Sequence, residues 1–327
     1  MKQLDGKLLT TGMLAGLTAA LLVLAANAQP SLSSFLYAAS AMPILIAGLG
    51  WGNVAAIAAI VTAAALGSIA VSPLFAASMA IFTLLPAGWV SHLASLARPA
   101  SEIGGPDHLI AWYPLSDILM HLCALIALAV MFLGVMIGYG PEFIRELVNA
   151  VMTAATAQEG AFQPTADDIA QIERLMLVLL PVVQGGMWVM MLTATYYFAM
   201  RIVTASGRAK RPREDMPSAL RMNRNAMLIF LAGLLAAFVG GPIGLVGVTV
   251  CGTFGAGFLM AGFASLHLRT RGKDWRLPVL VLAYLSVLFL LPAFIILILG
   301  LADARRTVAL TPAQKADTKS DNNETQD

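Results

Sequence analysis

The sequence predicts an all-α fold, a polytopic transmembrane helical bundle of about nine spans with one extracytoplasmic amphipathic helix. Three observations lead there. Of 327 residues, 59% are hydrophobic and only 12% charged, against about 45–50% and about 25% in soluble domains, and the mean hydropathy is +0.80. The apolar residues fall in runs near the roughly 20 residues that cross a bilayer. The runs are also continuous. A membrane barrel strand would alternate with period two, so helices, which satisfy their own backbone in hydrocarbon, are the spanning element.

Direction comes from residues 201–224, which hold Arg201, Arg208, Lys210, Arg211, Arg213, Arg221 and Arg224 against only Glu214 and Asp215. Short basic loops between spans mark the cytoplasmic side. The expected location is a membrane with this loop on its cytoplasmic side, with the N-terminus cytoplasmic and the lipid bilayer as the principal partner.

The N-terminal residues Met1–Lys7 carry Lys2 and Lys7 and lead into the first span, residues 8–28. A basic start, an apolar middle and the ending Ala26-Asn27-Ala28 resemble a signal peptide. The run exceeds the roughly 7–15 residues of a signal core, which predicts an uncleaved helix. Gly12, Gly16 and Ala20 recur at four-residue spacing with Ala15 and Ala19 beside them. Such a ridge admits another helix at close range, either from this chain or from a membrane protein partner. Residues 33–50 form the second span, with Pro43 inside. Residues 53–71 form the third, with Ala55, Ala59, Ala63 and Gly67 in one row. Residues 74–97 form the fourth, with Pro86 near its middle. Proline inside a span removes a hydrogen bond and kinks the helix.

Residues 98–114 are punctuated by Gly and Pro, and Trp112 and Tyr113 suit a headgroup interface. The fifth span is 115–139. After Gly140-Pro141, the residues Phe143, Ile144, Leu147, Val148 and Val151 repeat at helical spacing opposite Glu142, Arg145, Glu146 and Asn149. That pattern is an amphipathic helix on the membrane surface or over the bundle. Thr165 and Asp168 have the spacing of a helix start. Glu142, Glu146, Glu159, Asp167 and Asp168 make this region acidic, which suits the outer face. The sixth to ninth spans are 172–200, 225–240, 243–267 and 277–301. A second basic cluster, Arg269, Arg271, Lys273 and Arg276, separates the last two. Residues 1–303 read as a single transmembrane domain and 304–327 as a disordered polar tail. The span count leaves Arg305 and Arg306 outside, the one place where it conflicts with the positive-inside rule.

No metalloprotease, hydrolase or phosphate-loop motif is present. The sequence therefore predicts no enzyme, no cofactor and no metal. Cys123 and Cys251 sit in apolar runs with neither disulfide nor ligand spacing. The basic loops lack the interleaved aromatics of a nucleic-acid surface, so no nucleic acid is expected. Two polar groupings stand out. Asp117 and His121 lie one turn apart on the fifth span, with His92 near the inner end of the fourth. Ionisable groups at a span centre cost about 2.5–3.5 kcal/mol and usually face a cavity or a partner. The set reads either as a small ligand site or as a solvated pair at the interface. Gln184 and Trp188 form the second grouping, beside Pro181, Gly185 and Gly186. An amide in a disrupted helix can line a ligand cavity or bond a neighbouring helix.

Two stretches carry a family resemblance. One is Pro43–Asn53, PILIAGLGWGN, followed at once by an Ala-rich span. The other is Leu299–Arg306, LGLADARR, after a Gly-rich helix that ends Gly262-Phe263-Ala264-Ser265-Leu266-His267. Together they resemble the YybS-like family of uncharacterised bacterial multipass membrane proteins. Residues 8–97 are similar in turn to the S components of energy-coupling-factor transporters. The resemblance implies a bundle that captures a small molecule for transport, with the first-helix ridge facing a coupling partner. A non-transporting scaffold or assembly factor is the alternative. The motifs are structural, so no ligand residue carries over.

Overall fold

A computed structural model describes residues 6–156, 164–286 and 290–312. Lys2, Glu159 and tail residues 313–327 lie outside the described residues. The helices are α1 (Gly6–Ala28), α2 (Ser33–Ala39), α3 (Ala41–Trp51), α4 (Asn53–Ala70), α5 (Pro73–Met79), α6 (Leu85–Ala94), α7 (Leu115–Met136), α8 (Pro141–Thr156), α9 (Ala166–Ala205), the single turn α10 (Met216–Ala219), α11 (Arg224–Ala237), α12 (Gly241–Arg269), α13 (Arg276–Ser286) and α14 (Leu290–Ala302). Three short strands, β1 (Ala97–Pro99), β2 (Leu109–Trp112) and β3 (Leu310–Pro312), pair antiparallel in that order. The protein is an all-α polytopic bundle. Seven described stretches are long and apolar enough to cross a membrane: Gly6–Ala28, Pro30–Trp51, Asn53–Ala70, Pro73–Ala94, Leu115–Met136, Ala166–Ala205 and Gly241–Arg269.

Local sequence sets several boundaries. Ser72 caps α5 by accepting from Phe75 N at 3.1 Å, with Pro73 in the first turn. Between α5 and α6 the backbone widens to a π-turn at Ala80–Leu84, where Leu85 N–H donates to Ala80 O. Pro86 has no N–H for the Phe82 carbonyl, and the widened turn makes room for its ring. Thr165 and Asp168 form a reciprocal capping box at the start of α9. Helix α9 then runs unbroken for 40 residues through Pro181, about 60 Å at 1.5 Å per residue. The expected disruption around Gln184 is absent. In α8, Ile144 and Val148 are buried while Leu147 and Val151 are exposed, and the helix packs along α9.

The small-residue rows read from the sequence meet each other. A Cβ on Gly12 would lie 2.4 Å from Ala55 O, and one on Gly16 would lie 2.4 Å from Ala59 O. Helices α1 and α4 therefore run parallel, backbone against backbone, as small residues permit. The ridge of α1 is filled from within the chain and is not a free surface for a partner.

Contacts between helix ends define one face of the bundle, called here the basic face. Asn53 Nδ2 donates to His92 Nδ1 at 2.8 Å, which joins the start of α4 to the end of α6. The Arg208 guanidinium lies 4.5 Å from the Trp51 ring centroid, which brings the end of α9 to the end of α3. Arg305 N donates to Met222 O at 2.9 Å, and Thr307 Oγ1 to Ala219 O at 2.8 Å. The segment after α14 thus returns to this face and ends as β3 on β2.

That return corrects two expectations. The described part of residues 277–301 holds two shorter helices in place of one long span. Helices α13 and α14 have 11 and 13 residues, about 17 and about 20 Å, each short of the roughly 30 Å hydrocarbon core. The loop before α13 is tied to Asp215 through Arg271, and α14 ends with Asp303 beside Ser265 and Arg221. Both ends of this hairpin sit on the basic face, so Arg305 and Arg306 join the other cations. Residues 304–312 are an ordered part of that face, not a disordered tail. Thiol labelling checks the arrangement in a background without Cys123 and Cys251. Ser101→Cys and Leu310→Cys are expected to label from the same side of the membrane, and labelling from opposite sides would refute the hairpin.

Trp112 is also placed differently from expectation. It lies beneath the returning segment, with its backbone N donating to Ala309 O at 3.0 Å and its Nε1 to Thr311 Oγ1 at 2.9 Å.

Candidate functional site

Asp117 stands in the first turn of α7 with only 1% of its surface exposed. Its Oδ1 accepts from Asn223 Nδ2 at 2.6 Å, and its Oδ2 accepts from Arg306 Nε at 2.8 Å and from Arg306 Nη2. Asn223 in turn caps α11 by accepting from Ala226 N at 2.8 Å. One carboxylate therefore fastens the start of α7, the start of α11 and the C-terminal segment. The bond to Asp117 raises the Arg306 pKa above its ordinary value, because ionised partners favour each other's charged forms.

The histidines are close by but bonded elsewhere. His121 Nδ1 donates to the Asp117 backbone carbonyl at 2.7 Å. Its ring stands 6.3 Å from Trp89 and 6.2 Å from Tyr113, centroid to centroid. The His92 ring is 5.7 Å from Trp89 on that ring's other contact. Asp117, His121 and His92 do share one neighbourhood, linked through Trp89. Among the described residues no imidazole bonds the carboxylate.

Gln184 and Trp188 are not part of this neighbourhood. Gly185 and Gly186 turn inward against α12, where a Cβ on Gly186 would lie 3.3 Å from Gly252 O. That rotation buries Trp188 against Phe82 at 5.7 Å and leaves Gln184 exposed on the outside of the bundle. Gln184 thus lines no interior cavity. Trp188 Nε1 has no hydrogen-bond partner among the described residues.

Sequence reasoning missed a second ionic cluster. Arg221 is fully buried, and its Nε lies 2.7 Å from Asp303 Oδ2. Its Nη1 donates to Pro217 O at 2.9 Å and Leu220 O at 2.7 Å. Asp303 also accepts from Ser265 Oγ at 2.9 Å. Burial pulls the Arg221 guanidinium below its ordinary value, and Asp303 opposes the shift. Arg211 is buried as well, bonded to Glu214 and donating to Tyr113 O at 2.7 Å. Arg271 pairs with Asp215 in the open and holds that carboxyl below the usual carboxylate range. Arg211 and Arg221 are thus interior struts, although the sequence places them in an ordinary topogenic loop. The available signal was Asp303, an acid set directly after a long apolar run.

Between the small sheet and the C-terminal segment lies a cavity of about 380 Å³. Leu96, Ile103, Trp112 and Val308 supply apolar lining, and Arg98 and Arg306 supply charge. Among the described residues no group of three or more His, Cys, Asp and Glu side chains could hold a metal ion. A family model described as "Predicted membrane protein (DUF2232)" matches residues 16–304. No curated protein and no solved structure matches the chain.

Proposed function

The chain belongs to the DUF2232 family of predicted membrane proteins, and from that premise we propose that it is a non-enzymatic, small-molecule-binding subunit of the bacterial cytoplasmic membrane. The observation that carries this reading is the cavity at the basic face. Its volume of about 380 Å³ falls within the roughly 300–1,000 Å³ of ligand sites. Asp117 and Glu214 at that face are committed to arginine partners. Orientation follows from the same face. Arg98, Arg208, Lys210, Arg213 and Arg271 gather where α6, α9 and α12 end, so that side is cytoplasmic by the positive-inside rule, and the N-terminus with it.

The YybS-like and S-component resemblances fit a bundle that binds a small molecule. A coupling partner would dock away from Gly12 and Gly16, because α4 already occupies that ridge. A scaffold or assembly role is the second reading, and a specific observation favours it. Helix α9 at about 60 Å is twice the length the hydrocarbon core needs, and with α8 beside it offers an extended surface on the face opposite the basic one. Native mass spectrometry of the full chain in mild detergent separates the two. A retained small molecule is expected. A retained protein with no small molecule would reject the binding reading in favour of the scaffold.

A further inference from the structure

Four features of the cavity bear on what it holds. First, it opens where α6 ends and α7 begins, at the ends of two stretches long and apolar enough to cross a membrane. Leu96, Ile103 and Val308 line it with exposed apolar surface, and Trp89, also exposed, belongs to the neighbouring α6. Second, the Arg98 side chain makes no hydrogen bond or ion pair among the described residues, although its backbone pairs with Ala111 and it borders the cavity. Third, Arg306 gives Nε and Nη2 to Asp117 and leaves Nη1 uncommitted at the cavity wall. Fourth, no acid is among the lining residues; Glu102 and Asp107 lie on the same loop but outside the lining. A chamber that is apolar on its walls, basic at its rim and set at the ends of two candidate spans complements a phosphate joined to a greasy body. Planar guanidinium groups are the side chains best matched to such an oxyanion.

We infer that this cavity binds the headgroup of an anionic phospholipid from the leaflet on the basic face, with Arg98 and Arg306 on the phosphate and the apolar walls against the glycerol and upper acyl chain. The inference rests on the binding reading above and names its ligand class. Basic pockets beside spans on the cytoplasmic side are suited to such headgroups. Asp117 acts here as a positioning residue, because it holds the Arg306 fork at the wall.

The test uses the full chain in detergent, exposed to phosphatidylglycerol or to phosphatidylcholine and followed by native mass spectrometry. One phosphatidylglycerol is expected to survive activation that strips phosphatidylcholine. Arg98→Gln should cut its retention about five-fold, the effect of one cation near the surface, with an unchanged melting temperature. Arg98→Lys should keep most of the retention. Equal retention of the two lipids, or no change in Arg98→Gln, would overturn the inference. Displacement of phosphatidylglycerol by glycerol phosphate at equal concentration would assign the phosphate subsite to a soluble ester and overturn the lipid assignment. If some other small molecule is retained while the two lipids behave alike, this inference fails and the binding reading survives. If nothing is retained, both fail.

Discussion

Asp303→Ala is expected to destabilise the folded chain by about 3–5 kcal/mol, the usual cost of removing one partner from a buried ion pair. Arg221 has none of its surface exposed, and Asp303 is the carboxylate 2.7 Å from its Nε. Without Asp303 the guanidinium keeps two backbone carbonyls, Pro217 O and Leu220 O, but has no countercharge. Arg305 and Arg269 both push against its charge, so the loss leaves a buried guanidinium opposed by like charges with no acid beside it to offset them. Ser265 loses its acceptor too. The double change Arg221→Met with Asp303→Asn removes both charges at nearly constant volume, and it should recover most of the loss. Arg271→Ala is the contrasting case. Its pair with Asp215 is about half exposed on both sides, and exposed pairs contribute about 0–1 kcal/mol. Denaturant unfolding of the full chain in detergent reads all three. A loss under 1 kcal/mol in Asp303→Ala, or a double variant no better than the single, would show that the pair is not what holds α14 to the basic face.

The same pair explains why the sequence was misread at its end. Residues 277–301 have the length and apolarity of a span, and hydropathy cannot distinguish one crossing from a hairpin of two short helices. What distinguishes them is where Asp303 is held, and its partner Arg221 lies 82 positions earlier in the numbering. Arg211 and Arg221 were hidden for a related reason. Cations in a short loop satisfy the positive-inside rule whether they face water or the interior, so the topogenic pattern masks a structural one. Asp117 was recognisable as unusual, because an ionisable group near a span needs a partner. That partner, Arg306, comes from the far end of the chain, whereas helical spacing pointed only to His121. Gln184 failed through local signals. Pro181 and Gly185-Gly186 are legible as helix breakers, but α9 keeps its path because the glycines are filled by Gly252 and Thr253 of α12. The helices and small-residue rows themselves were legible, since they depend on local periodicity. Which row meets which is a tertiary fact.

Gly16→Leu tests that tertiary fact. Overpacking a core usually costs about 1–3 kcal/mol and sometimes more; this site belongs at or above the upper end. A Cβ on Gly16 would sit 2.4 Å from Ala59 O and 2.7 Å from Thr62 Cβ. The first of these atoms is backbone, so no rotamer change relieves the contact and α1 must move away from α4 as a unit. Such a displacement also separates Gly12 from Ala55, because the two contacts lie one turn apart on the same pair of parallel helices. Thr62→Gly should therefore fail to rescue Gly16→Leu, although it removes the side-chain Cβ part of the clash. Leu17→Ala is the control. Leu17 is exposed on the neighbouring face, and surface changes usually stay within about 0.5 kcal/mol. Thermal melting in detergent is expected to fall sharply for Gly16→Leu and hardly at all for Leu17→Ala, and a pull-down run alongside separates the remaining outcomes. An unchanged melt with a membrane protein lost from the pull-down would mean that the ridge of α1 faces a partner, and that the contact with α4 is not what orders the first four spans.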